Sequence, residues 1–159
     1  MSIEKVRSYF EAQGFAERII EFDVSSATVA LAAQALGCEE ARIAKTLSFM
    51  TENGPILIVA AGDVKVDNPK YKAAFGCKAK MLTHEQAQAL IGHAVGGVCP
   101  FAVHDGVSVY LDESLRRFET VFPACGSSNS AIELALSELE LLAKPLGWVD
   151  VCKQKENLS

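Results

Sequence analysis

Three places in this chain of 159 residues combine residue types that could do chemistry. The first is Lys45, near the start of the apolar run Ile43 to Met50. Side chains of a strand alternate faces, so Lys45 shares a face with Leu47 and Phe49, while Thr46 and Ser48 take the face expected to meet water. An ammonium on an apolar face must find water, a carboxylate or an anionic ligand. The plainer alternative is a lysine that snorkels to solvent at the strand end. The second place is Gly96-Gly97-Val98-Cys99-Pro100, inside the apolar stretch from Ala94 to Val103. Glycine lets another group approach its backbone closely. Pro100 fixes its own φ and pushes Cys99 out of the α region. The segment reads as a stiff loop between two strands, its N–H groups bare enough to meet a ligand oxygen. On the loop alone, a β-bulge or barrel corner that needs small residues is the plainer reading. The third place is the tight polar loop Cys125-Gly126-Ser127-Ser128-Asn129.

Other chemistries are poorly served. GxSxG, HExxH, GxGxxG and P-loop patterns are absent. Ser127 and Ser128 lack a local His partner. Cys99 could act as a nucleophile with His93 or His104 as base, but a small apolar filler is the favoured role for it. The three histidines have no metal-ligand spacing, so no metal site is expected.

The elements that must position these residues follow from periodicity and caps. Ile3, Val6 and Phe10 share one face of a first helix that Gly14 ends. Arg18 to Asp23 reads as a strand. Ser25 or Ser26 caps a second helix, stopped by Gly37. After the Lys45 strand, Asn53-Gly54 signals a hairpin into the buried strand Ile56 to Ala61. Asp67 caps a helix ending at Gly76, and Lys78 to Leu82 reads as a short strand. Thr83 and Gln86 form a capping box for a helix reaching Gly92. Beyond the glycine-rich loop, Asp105-Gly106 signals a second hairpin, from Phe101–Val103 into the alternating run Val107 to Leu111. Asp112 caps a turn, Thr120 to Ala124 and Ala131 to Leu136 read as strands, and Ser137 with Glu140 caps a last helix. Trp148 to Cys152 reads as a closing strand. The expected class is α+β, with a mixed, barrel-like β-sheet and surrounding helices, in a single domain over residues 1–159.

Composition narrows the setting. Half the residues are apolar and 22% are charged, as in an ordinary globular protein. No apolar run approaches a membrane span. Met1-Ser2-Ile3-Glu4-Lys5 opens no signal peptide, and the five scattered cysteines suit free thiols in a cytoplasmic setting. The net charge of −5 argues against wrapping long nucleic acid. Yet Lys65, Lys70, Lys72, Lys78 and Lys80 face only Asp67 between Val64 and Lys80, a local +4. Such a patch could bind a few phosphates, or be a solvated face.

Taken together, Leu36-Gly37, Ala44-Lys45-Thr46-Leu47, Val59-Ala60-Ala61-Gly62-Asp63, Gly96-Gly97-Val98-Cys99-Pro100-Phe101, Tyr110 to Leu115 and Gly126-Ser127 resemble the YbaK/prolyl-tRNA-editing family of aminoacyl-tRNA deacylases. The likeness covers nearly the whole chain. The lysine motif and the G-x-x-x-P loop arrive in family order at similar spacing.

The resemblance implies an editing-domain-like fold. It implies hydrolysis of the ester between a wrong small amino acid (Ala, Cys, Ser or Thr) and the 3′-terminal adenosine of a tRNA, with tRNA-Pro the leading acceptor. It further implies no metal, no cofactor and no covalent enzyme intermediate. Lys45 would hold the terminal adenosine or its phosphate. Gly96, Gly97, Val98, Cys99 and Pro100 would orient the ester carbonyl through backbone N–H groups while water attacks. Phe22, Asp63, Phe101, Asp112, Gly126, Ser127 and Ser128 would contact substrate. Apart from the family's motifs, the charge pattern makes the lysines at 65, 70, 72, 78 and 80 a candidate surface for the acceptor stem. An aminoacyl-tRNA synthetase is a second candidate partner, and no membrane is involved. The chain departs from the family pattern at Glu21-Phe22-Asp23-Val24, where many members carry Tyr/His, and at Cys99, where serine is common. A non-catalytic tRNA- or synthetase-binding module of the same fold is the alternative function.

Overall fold

A computed structural model describes residues 2–93 and 97–155. The chain opens with helix α1, Ser2–Gln13, whose Val6 and Phe10 are fully buried. After a 3-10 turn comes the two-residue strand β1, Ile20–Glu21. Helix α2, Val29–Leu36, is capped by Thr28, whose side chain accepts from Leu31 N–H, and ends at Gly37 in the left-handed region. Strands β2, Ile43–Thr51, and β3, Gly54–Ala61, form the hairpin expected at Asn53-Gly54. The short strand β4, Val64–Val66, leads to α3, Asn68–Phe75, capped by Asp67. Helix α4, His84–Gln86, carries the expected Thr83/Gln86 capping box and relaxes into a π turn over Ala87–Ile91. Then follow β5, Ser108–Asp112, a 3-10 turn, β6, Thr120–Pro123, and the short β7, Ser130–Ala131, and β8, Leu134–Ala135. Helix α5, Leu136–Ala143, and strands β9, Gly147–Val149, and β10, Cys152–Gln154, complete the described chain.

Six strands form one curled, barrel-like mixed sheet in the order β8-β6-β2-β3-β5-β9. The pairs β2–β3 and β6–β8 are antiparallel, while β2–β6, β3–β5 and β5–β9 are parallel. Central β3 is the most apolar strand, and its consecutive Leu57, Ile58, Val59, Ala60 and Ala61 are fully buried, so both faces of this strand are covered. Two small pairings, β1–β7 and β4–β10, attach the outer segments. None of the described helices is long and apolar enough to cross a membrane.

The α+β class and mixed sheet agree with the expectation; several local readings do not. The cap of α2 is Thr28, not Ser25 or Ser26. Phe101 to Val103 is not a strand, and Asp105-Gly106 makes no hairpin, because β5 pairs in parallel with β3 and β9 and leaves no edge for a hairpin partner. Phe101 turns instead into the core against Phe10, with ring centroids 4.9 Å apart. Lys78 to Leu82 touches β2 only through a bridge at Met81 and flanking backbone bonds. Between residues 18 and 23 only Ile20 and Glu21 pair. The closing strand divides into β9 and β10. In α5, Glu138 accepts from Ala135 N–H, two residues ahead of the expected cap.

Candidate functional site

A cleft of about 420 Å³ opens along one edge of β2. That volume lies in the range of small-molecule sites. Its origin is a gap in strand pairing. On this edge β6 pairs with β2 only at Ile43 and Ala44. Further along, Leu82 N–H donates to Ser48 O and Met50 N–H donates to Lys80 O. Between these two attachments the edge of β2 borders the cleft. The four consecutive residues Ile43 to Thr46 therefore all line it, which one face of a strand could not achieve. Ser26 to Val29 close one side and Met81 to His84, with Ala87, another; Val98, Ala124, Ser130 and Ala131 complete the wall.

Ser48 is buried and Thr46 half-buried, and both line this cleft. The face expected to meet water thus faces the cleft, because the flanking loops and α2 cover that side of the sheet.

The glycine-rich segment meets the cleft at Val98. Gly96 lies outside the described residues. Gly97 packs so tightly on the second loop that a Cβ there would sit 2.7 Å from Gly126 C and Ser127 N. Two of the three places singled out by sequence are therefore in backbone contact. The base of the segment is tied twice: His104 N–H donates to Ile91 O at 3.0 Å, and His93 Nε2 lies 2.8 Å from Phe101 O. Since a carbonyl only accepts, Nε2 carries the proton. Residues 97–103 contain no strand, so the stiff segment is a tethered loop rather than a link between two strands.

Cys99 is fully buried, and burial pushes its thiol up to about 12. Its Sγ lies 3.5 Å from His93 Nε2, but that nitrogen already donates to Phe101 O. The thiol therefore has no base and negligible thiolate at neutral pH. Pro100 is buried beside it.

Lys45 is half-buried on the cleft edge, and its ammonium donates to Val64 O. Burial, and secondarily the charge of Lys155, lower its pKa from the ordinary lysine value. An ammonium has three protons to donate, and this is its one hydrogen bond among the described residues.

The loop after Cys125 is held by its own polar groups. Ser127 Oγ lies 2.9 Å from Asn129 Oδ1 and 2.7 Å from Ser130 Oγ. Asn129 Nδ2 donates to Phe22 O, Phe22 N–H to Asn129 O, and Ser26 N–H to Ser128 O. Phe22, Gly126, Ser127 and Ser128 do not themselves line the cleft; Ser128 O and Ser127 Oγ bond Ser26 and Ser130, which do. Asp63 lies apart, in a two-bond pair with the Arg117 guanidinium that holds its carboxyl below the usual range. Asp112 is buried and accepts from Ser114 and Val151 N–H. Phe101 is core. Neither Asp63, Asp112 nor Phe101 lines the cleft. Lys65, Lys70, Lys72, Lys78 and Lys80 are all exposed, and Lys70 is paired with Asp150.

Sequence reasoning missed Thr46, Ser48, Ser130 and the Met81 to His84 wall. One signal was present: two hydroxyls alternate on one face of a strand whose neighbour, Ile56 to Ala61, is wholly apolar.

Residues 24–142 match the family described as aminoacyl-tRNA editing domain. The chain is 50% identical over 157 residues to the uncharacterized protein YwhH of Bacillus subtilis, covering 98% of this chain and all of that protein. It is 30% identical over 104 residues to the proline–tRNA ligase of Halalkalibacterium halodurans, a stretch that is 65% of this chain and 18% of the ligase. A crystal structure of a proposed trans-editing enzyme for prolyl-tRNA synthetase superposes with a TM-score of 0.85 at 29% identity, covering 98% of each chain.

Proposed function

This chain belongs to the aminoacyl-tRNA editing domain family, and from that premise we propose that it hydrolyses the ester joining a small amino acid to the 3′-terminal adenosine of a mischarged tRNA, with tRNA-Pro the leading acceptor. The observation that carries this reading is the cleft on the open edge of β2, where Lys45 and Val98 line one cavity. Lys45 offers an ammonium held by a single neutral carbonyl. Exchanging that acceptor for a nucleotide phosphate or ribose oxygen gains a stronger, charge-assisted bond.

The chemistry follows from what lines the cavity. Among the described residues that line it, Lys45 and His84 are the titratable ones and none is a carboxylate. Catalysis therefore rests on positioning and charge stabilisation more than on a carboxylate pair. Water adds to the ester carbonyl, and the carbonyl oxygen becomes an oxyanion that backbone N–H groups of the glycine-rich loop receive. The tetrahedral carbon then expels the ribose oxygen, which takes a proton. Free amino acid and intact tRNA leave. Cys99 contributes no covalent step, because its thiol stays protonated.

The test is a deacylation panel: tRNA-Pro charged with Ala or Cys, and tRNAs mischarged with Ser or Thr, beside correctly charged controls. Hydrolysis of a mischarged species is expected. Lys45→Ala is expected to lower it by roughly 10- to 100-fold, the loss that goes with one hydrogen bond to a charged group. Full activity in that variant overturns the role of Lys45. Binding of tRNA with no turnover on any ester identifies a non-catalytic module instead.

A further inference from the structure

Val64 O, the acceptor of the Lys45 ammonium, belongs to β4 and not to the cleft wall. Where that carbonyl sits therefore decides where the ammonium waits. β4 lies outside the six-stranded sheet and pairs with β10. Val64 stands opposite Gln154, and the adjoining backbone bond runs outside that pair, from Lys155 N–H to Asp63 O at 3.1 Å. A pair flanked in this way is of the non-hydrogen-bonded kind, so Val64 turns its own N–H and C=O away from β10. The carbonyl is thereby presented to Lys45, which stands on β2 opposite Ala60 of β3.

A strand as short as β4 would not hold a carbonyl still by itself. The Gly62-Asp63 turn that joins it to β3 is gripped at three points. Gly62 packs so closely that a Cβ would meet Glu40 O at 2.1 Å. Ala61 N–H donates to Ser114 Oγ at 3.1 Å. Asp63 accepts two bonds from the Arg117 guanidinium, at 2.6 and 2.9 Å, while Arg117 Nε–H donates to Ser114 O at 2.9 Å. The 3-10 turn after β5, which carries Ser114 and Arg117, thus holds the β3–β4 turn on both sides. The Asp63 and Arg117 side chains are 30% and 39% exposed, so their pair adds little to stability. What a two-bond fork fixes is orientation. Asp63 and Lys45 also feel each other's charge. The Lys45 pKa, lowered first by burial and then by Lys155, is partly held up by Asp63; Asp63, lowered first by Arg117, is lowered further by Lys45.

We infer that Asp63 and Arg117, neither of which lines the cleft, are positioning residues: their pair locks the β3–β4 turn so that Val64 O holds the Lys45 ammonium at the cleft edge before the substrate arrives. The inference rests on the editing function proposed above. A free lysine side chain carries much rotamer freedom, and holding it in place beforehand removes that cost from substrate binding.

The experiment is a double-mutant cycle read by single-turnover hydrolysis of an aminoacyl-tRNA that the wild type deacylates. Asp63→Asn, which keeps the shape and removes the charge, is expected to lower kcat/KM by about tenfold. In a Lys45→Ala background the same change is expected to lower the remaining kcat/KM by less than about twofold, because the group it positions is gone. Arg117→Gln is expected to repeat both results. A merely structural pair would cost the same factor in the two backgrounds, and thermal unfolding checks that each variant is folded. Equal losses in the two backgrounds, or full activity in Asp63→Asn, overturn the inference while leaving the editing function standing. Silence of the wild type toward every ester overturns the editing function and this inference with it.

Discussion

His93 ties together the two ends of the glycine-rich segment while buried and uncharged. Its Nε2–H meets Phe101 O, and its Nδ1 is buried without a partner. Burial lowers its pKa, opposed by the Phe101 carbonyl and reinforced by the charges of Lys5 and His104. The unfolded chain therefore takes up a proton at a higher pH than the native one. The stability contributed by neutral His93 is whole above about pH 6.5, the ordinary histidine value, and is lost as pH falls from there through the depressed native value. Thermal melts from pH 7.5 to 5 should show this loss. His93→Gln, which keeps a donor for Phe101 O but does not titrate, should flatten the slope between pH 6.5 and 5. An unchanged slope removes His93 as its cause. At this scale the sequence was half legible. Lys45 stood out as a cation in an apolar pattern. Thr46 and Ser48 were assigned to water because alternation tells which residues share a face, but not that a neighbouring strand stops short and leaves a cleft there.

The contact between two loops is the decisive feature among the elements. Gly97 lies against the backbone of Gly126 and Ser127, and neither partner is a flexible side-chain tip that could move aside. Gly97→Ala would force the loops apart. It should cost about 1–3 kcal/mol of stability, the usual range for overpacking, and lower deacylation at least tenfold, since an ångström of displacement at a reacting group is worth more than that. Denaturant unfolding and single-turnover hydrolysis measure the two effects, and near-native values in both would mean the loops accommodate the methyl group. Gly62 shows the same logic away from the cleft, where a Cβ would meet Glu40 O at 2.1 Å. Such close approaches leave no mark in one sequence beyond the glycine itself. Caps did leave marks: Asp67, Thr83 and Asp112 each bond the first turn they precede, because a short side chain next to orphan N–H groups has one natural use. The second hairpin was misread for a different reason. Asp105-Gly106 makes a turn, but whether the flanking segments pair depends on β3 and β9 claiming both edges of β5, a long-range fact absent from local chemistry.

Over the whole molecule, a net charge of −5 opposes a polyanion, so a tRNA bound as proposed would approach through a local positive surface. The five lysines between Val64 and Lys80 are not equivalent in that role. Lys70 is paired with Asp150 and bonded to Cys152 O, which offsets its charge locally. Lys65 stands opposite Lys153 across the β4–β10 pair. Lys80 immediately precedes Met81, which lines the cleft, and its carbonyl ties that strap to β2; Lys78 lies two residues earlier. Under the proposed function, an acceptor end seated in the cleft would bring its phosphates past Lys78 and Lys80 first. Each lysine that neutralises a phosphate adds about 0.7–0.9 to the slope of log K against log salt. Replacing Lys78 and Lys80 with alanine should therefore lower the slope for tRNA by about 1.4–1.8 and raise KM for an aminoacyl-tRNA, most visibly at low salt. Lys70→Ala should leave the slope nearly as it was. Filter binding between 25 and 200 mM salt, on uncharged tRNA, separates the cases. If the Lys70 variant moves the slope as much as the Lys78/Lys80 pair does, the lysines act as a diffuse field and the strap beside the cleft has no special part in docking.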